Sequence, residues 1–122
     1  NDVAVIARVP FDEGTLTGTL SKETTFPPDD WRSNYFSPEN LIPSVERAEA
    51  LQPLVPKGST MPEMTLRHIL SHEAVSTIIP GMRKLHHVES NCAASDKGKL
   101  SAELLAELKN HRWVRKPAPW SD

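Results

Sequence analysis

Two short runs of apolar, largely β-branched residues constrain this chain more than anything else in it: residues 3–9 (VAVIARV) and residues 74–79 (AVSTII). Pro10 closes the first and Pro80-Gly81 the second. Runs without polar alternation suit strands buried on both faces, as in a parallel sheet. Parallel partners need a long crossover, and the sequence between the runs supplies one with helical patterning.

In residues 38–54, Leu41, Ile42, Val45, Ala48 and Leu51 share one stripe,. Pro43 is expected near the first turn, where a missing N–H costs little. Thr60 stands three residues before Glu63, a capping-box start,. The helix it opens carries Met64, Leu66, Ile69 and Leu70 and ends near His72. A further helix is expected over residues 84–94, with Leu85, Val88 and Cys92 on its apolar face, so Cys92 reads as a small core residue,. Ser101 caps a last helix through Leu104, Leu105 and Leu108,.

Residues 11–30 are rich in Gly, Thr, Pro and acids with no helical stripe, and read as one long loop. Loops of that length are commonly functional or disordered. The tail from Trp113 is irregular, and Trp113, Pro119 and Trp120 are expected to cover a hydrophobic surface.

Strands alternating with helices give an α/β class with parallel strands. With 122 residues there is room for one domain,. It divides into 1–20 (strand and loop), 38–73 (helices), 74–94 (strand and helix) and 100–122 (last helix and tail). Two strands are too few for a sheet covered on both faces, and their free edges invite pairing with another chain. Oligomerisation, with copies supplying further strands, is therefore expected. The chain opens at Asn1 directly into a strand, and reads as if cut from something longer.

A net charge of −2 gives no basic face for wholesale nucleic-acid binding,. No apolar run approaches the roughly 18–20 residues that span a bilayer, and no signal-peptide pattern opens the chain. One cysteine permits no internal disulfide and fits a reducing compartment,; the cytoplasm is expected.

The segment with the most chemistry is residues 76–83 (STIIPGMR) and the helix after it. A strand feeds a glycine turn, a basic pair and a helix N-terminus, whose free N–H groups and dipole favour anions. Gly81 permits close approach, and the Arg83 fork suits two phosphate oxygens. By spacing alone, the pattern is weak and reads as an ordinary turn with a solvated arginine ahead of a phosphate site.

The stretches 5–18 (VIARVPFDEGTLTG), 66–91 and 101–113 resemble the end of the aldo-keto reductase family. The resemblance implies strands seven and eight of a (β/α)8 TIM barrel plus a C-terminal helix. Phosphate sites in such barrels often follow those strands. It further implies that Pro10, Phe11, Gly14, Leu16 and Gly18 line the pyrophosphate region of a nicotinamide dinucleotide. Gly81, Met82 and Arg83 would hold the adenosine 2′-phosphate of NADP, with His87 and Asn91 toward adenine. His87 replaces a glutamine common in the family, and Ser90 a glutamate. The family's Tyr, Asp, Lys and His lie in a first half that this sequence lacks. The one tyrosine, Tyr35, falls in a loop without a matching motif.

Other clusters have plainer readings. His68 and His72 stand one helical turn apart but lack a third metal ligand, so no metal site is assigned,. His86 and His87 are adjacent, and their rings are expected to diverge. Asp12, Glu13, Asp29 and Asp30, beside Trp31, could flank a glycosidic bond or simply solvate a loop,. Three functions follow in order: a cofactor-binding part of an NADP-dependent reductase, a non-catalytic assembly module, and a glycan hydrolase using the loop carboxylates.

Overall fold

The computed structural model describes residues 2–114. Strands β1 (Val5–Arg8) and β2 (Val75–Ile79) pair in parallel, and between them run five helical segments. A 3-10 turn spans Asp12–Thr17. Helices α1 (Arg32–Tyr35) and α2 (Pro38–Leu51) follow, the latter extended by a 3-10 turn at Gln52–Leu54, and then α3 (Met61–Leu70). After β2 come α4 (Leu85–Asp96) and α5 (Ala102–Asn110). The α/β class with parallel strands is as the sequence predicts.

The ladder shifts register between Val5 and Ile6. The cause is local: the Val5 N–H donates to the Ser76 hydroxyl at 3.2 Å, so one β2 residue is taken out of step,. The helix starts also follow the sequence. Thr60 Oγ1 accepts from the Glu63 N–H at 3.2 Å, and Ser101 Oγ accepts from the Leu104 N–H at 3.2 Å. Glu63 pairs forward, with Arg67 at 3.3 Å and Lys97 at 2.6 Å, which ties α3 to the end of α4. Burial raises the Glu63 pKa, but the hydrogen bond from Lys97, supported by its charge and by Arg67, brings it below the ordinary value,.

The core lies among the helices, in two clusters. Tyr35, Phe36, Leu41 and Val45 pack with Leu20 and Phe26. Leu51, Met61, Met64 and Leu100 pack with Leu16 and the apolar face of α5.

Five expectations are corrected. The strands are not buried on both faces: Ile6 is 60% and Ile79 56% exposed, because no described element covers that part of the sheet. Pro43 lies inside α2, past its first turn, since Pro38 already occupies the start. Residues 11–30 are not one loop, as the 3-10 turn sends Leu16 into the core. Tyr35 is buried on α1, where it packs edge-on against Trp31 and Phe36. Cys92 is exposed; α4 turns Ala94 inward and leaves Leu85 and Val88 to solvent.

Pro119 and Trp120 lie outside the described residues. No described helix is long and apolar enough to cross a membrane.

Candidate functional site at the strand ends

Parallel pairing brings the C-terminal ends of β1 and β2 side by side, and both carry a turn. The first is conformationally costly. Val9, Asp12 and Glu13 hold positive φ values of 54°, 47° and 57°, and Gly14 sits at 113°. Left-handed backbone is rare for non-glycine residues and an outlier for β-branched valine. Such strain persists only where surroundings over-determine it, and it concentrates at functional sites. Here the Asp12 N–H donates to the Val9 carbonyl at 3.1 Å, and the Gly14 and Leu16 N–H groups to the Phe11 carbonyl at 3.0 Å each. Gly18 closes the turn in the left-handed region at φ 71°,.

Between this turn and the second lies a shallow depression of 370 Å³, lined by Pro10, Phe11, Glu13, Gly14 and Gly81 among others. Four residues expected at a cofactor, Pro10, Phe11, Gly14 and Gly81, thus meet in one place. Leu16 does not join them, since its side chain belongs to the helical core and lines a different cavity. Glu13 also borders a second, more open hollow with Asp29, Asp30, Trp31 and Arg83. Met82 is exposed beside them.

The electrostatics beyond Gly81 are positive. Lys84 precedes α4 with no side-chain cap, and the first turn of α4 holds no acid, so the helix N-terminus is open to an anion,. Arg83 makes no ion pair among the described residues. Desolvation and then the nearby charges of His86, Lys84 and Arg83 hold the His87 imidazole below its ordinary pKa. The His86 and His87 rings do not diverge as expected; their centroids are 4.2 Å apart, edge to face. Asn91 Nδ2 donates to the Gly81 carbonyl at 3.3 Å, which ties α4 to the turn it follows. A Cβ added at Gly81 would meet nothing within 4 Å, so the turn is open on that side.

The acidic loop resolves into separate parts. Asp30 is engaged by Arg32, whose Nε lies 3.0 Å and 3.1 Å from the two carboxylate oxygens. Hydrogen bonds from the Arg32 side chain and main chain hold the Asp30 pKa down to about 2. A carboxyl so held is no general acid at neutral pH, which removes Asp30 from that part of a hydrolase pair. The Asp-x-Arg spacing is the signal that would have exposed this pair in the sequence. Of the two paired histidines, His72 turns its Nδ1 to the Ala74 N–H at 3.2 Å, and no described residues form a metal-binding group.

This geometry has counterparts. Residues 1–112 match the sequence model of the Aldo/keto reductase family. The aldo-keto reductase str7 of Strobilurus tenacellus is 29% identical over 110 residues, covering 88% of this chain and 32% of that protein. The NADH-specific methylglyoxal reductase of Escherichia coli (strain K12) is 30% identical over 97 residues, 77% of this chain and 29% of that protein. Among solved structures, the glycerol dehydrogenase AKR11B4 from Gluconobacter oxydans matches with a TM-score of 0.76 at 26% identity, over 90% of this chain and 34% of that one. The chain therefore spans between 29% and 34% of the length of these relatives. With its parallel strands, glycine turns and matched length, this chain belongs to the aldo/keto reductase family.

Proposed function

We propose that the chain is the nicotinamide-dinucleotide-binding part of an aldo/keto reductase, with β1 and β2 as strands seven and eight of a (β/α)8 barrel and NADP as the preferred cofactor. The observation that carries this reading is the meeting of Pro10, Phe11, Gly14 and Gly81 around one depression, beside a helix without a side-chain cap and an Arg83 with no ion pair among the described residues. Those residues fit the group: the glycine turns let a pyrophosphate approach main-chain N–H groups, and the α4 dipole favours its charge. Arg83 offers a planar fork to the 2′-phosphate. His87 and Asn91 extend from the same helix toward adenine, with Asn91 also steadying the turn.

When bound, the cofactor supplies hydride chemistry, while the protein supplies binding and orientation. The proton donor and its partners, by resemblance Tyr, Lys, Asp and His, belong to the rest of the barrel. Tyr35 does not replace that donor, because it is buried in an aromatic cluster on α1. The chain alone binds the cofactor and does not reduce a carbonyl. A reducing, cytoplasmic setting suits its single thiol.

Titration with NADPH and NADH, followed by cofactor fluorescence, tests the reading. NADPH is expected to bind more tightly, and Arg83→Ala to weaken it about tenfold while sparing NADH. The Escherichia coli relative, NADH-specific by name, makes this comparison decisive for cofactor choice. Tighter NADH binding would remove the NADP preference, and no binding of either by a folded chain would remove the reading.

A second reading rests on the sheet. Val5, Ile6 and Ile79 are exposed, and apolar sheet of this kind invites partner strands. A non-catalytic scaffold that assembles through that surface would sediment as an oligomer and bind no nucleotide.

A further inference from the structure

A cavity of 340 Å³ opens between the Asp12–Thr17 turn, α2, α3 and α5. It shares no lining residue with either depression at the mouth of the sheet. Leu16, Leu51, Met64 and Leu108 make its floor apolar. Trp113 forms a wall, and the Arg47 guanidinium lies 5.1 Å from the centroid of its ring. That cation–π contact holds the indole in place before any ligand arrives.

His68, His111 and Arg112 line its opening, and no carboxylate stands among the described lining residues. His111 Nε2 already has Glu107 at 3.8 Å. Arg112 has no ion-pair partner among the described residues. Local desolvation, and then the charge of Arg112, push the His68 imidazole below the ordinary histidine range, so His68 is a neutral donor or acceptor at pH 7,. Arg112 is thus the one permanently charged side chain among the described lining residues, over an apolar floor. Simple imperfect packing accounts for an apolar gap but not for an arginine at its mouth without an ion-pair partner among the described residues.

We propose that this cavity is a binding site for a small apolar carboxylate, with its ring or short chain on the Leu–Met floor and against Trp113, and its carboxylate on Arg112. Charge complementarity selects the anion, because the guanidinium fork matches two carboxylate oxygens. The volume lies at the lower end of ligand pockets, roughly 300–1,000 Å³, which limits the ligand to one small ring system or a short chain. The site is independent of the nucleotide reading.

Calorimetric titration of the full chain with 2-naphthoate, against neutral 2-naphthol, tests it. Saturable one-to-one binding of naphthoate is expected, with naphthol weaker. Arg112→Ala should weaken naphthoate about tenfold and leave naphthol unchanged. Arg112 is exposed, so this variant should keep the helical circular-dichroism signal of the parent. Leu108→Trp, which fills the floor, should abolish binding of both. Saturating NADPH should leave naphthoate binding unchanged. The proposal is overturned by absence of saturable naphthoate binding, by equal loss of both probes in Arg112→Ala, or by displacement with NADPH. It is also overturned if naphthoate binds only a variant ending at Val114, since the cavity would then be the seat of the chain's own last residues.

Discussion

The helical side of this molecule and its sheet side use the same kinds of residue to opposite ends. On α2, α3 and α5 the apolar side chains close on one another, and Leu66 is left only 1% exposed. On β1, β2 and α4, Ile6, Ile79 and Leu85 stand in solvent, Leu85 at 75%. Backbone strain divides the same way, with Val9, Asp12 and Glu13 gathered at the end of β1. The helical side holds both buried clusters. The sheet side has its pairing and its turns but not its cover, and it is there that the nucleotide-like site lies. The buried core and the proposed nucleotide site therefore lie in different parts of a chain that spans about a third of its relatives' length.

The largest expected effect would break this comparison if it failed. Leu66→Ala should cost about 2–5 kcal/mol in urea unfolding, as for a filled core site. Ile79→Ala should cost less than about 0.5 kcal/mol, as at a surface. A loss at Ile79 approaching that at Leu66 would mean that another chain covers the sheet in solution. Intermediate effects sharpen the contrast at the helix starts. Thr60→Ala and Ser101→Ala should each cost about 1 kcal/mol by the same measurement. Lys84→Ala should be near neutral, because α4 has no side-chain cap to lose.

The smallest effect is one of pH. Asp30 falls from an ordinary 3.8 to about 2 in the folded chain, so the unfolded chain takes up its proton first as pH drops. Its contribution is present above pH 3.8 and disappears between 3.8 and 2,. Asp30 is solvent-facing, so this contribution is small. Asp30→Asn should lower stability slightly at neutral pH and converge with the parent near pH 2. Stability–pH curves that stayed parallel throughout would show that the Arg32 pair does not exist in solution.

Much of the architecture was legible in the sequence because its signals are local. Thr60 and Ser101 cap helices through atoms three residues away, and the β-branched runs end at their prolines. The resemblance also grouped Pro10, Phe11, Gly14 and Gly81, which the fold brings to one depression. Leu16 was placed with them by its neighbours in the chain, yet one 3-10 turn rotates its side chain into the core. Cys92 was assigned to a stripe that α4 does not bury, because which face is inward depends on where α3 packs. The His86–His87 contact depends on rotamers, which spacing does not specify.

By itself, then, the sequence determined where helices begin, where the two strands stop, and that a glycine turn and an arginine follow β2. Those are matters of hydrogen bonds and steric limits within a few residues. Only the tertiary structure decided which apolar residues are core, which side of each turn faces the depression, and that Arg112 stands over the cavity between α2, α3 and α5. Burial and charge clustering are set by neighbours distant in sequence, and the same valine or isoleucine is core or surface according to what comes to rest upon it.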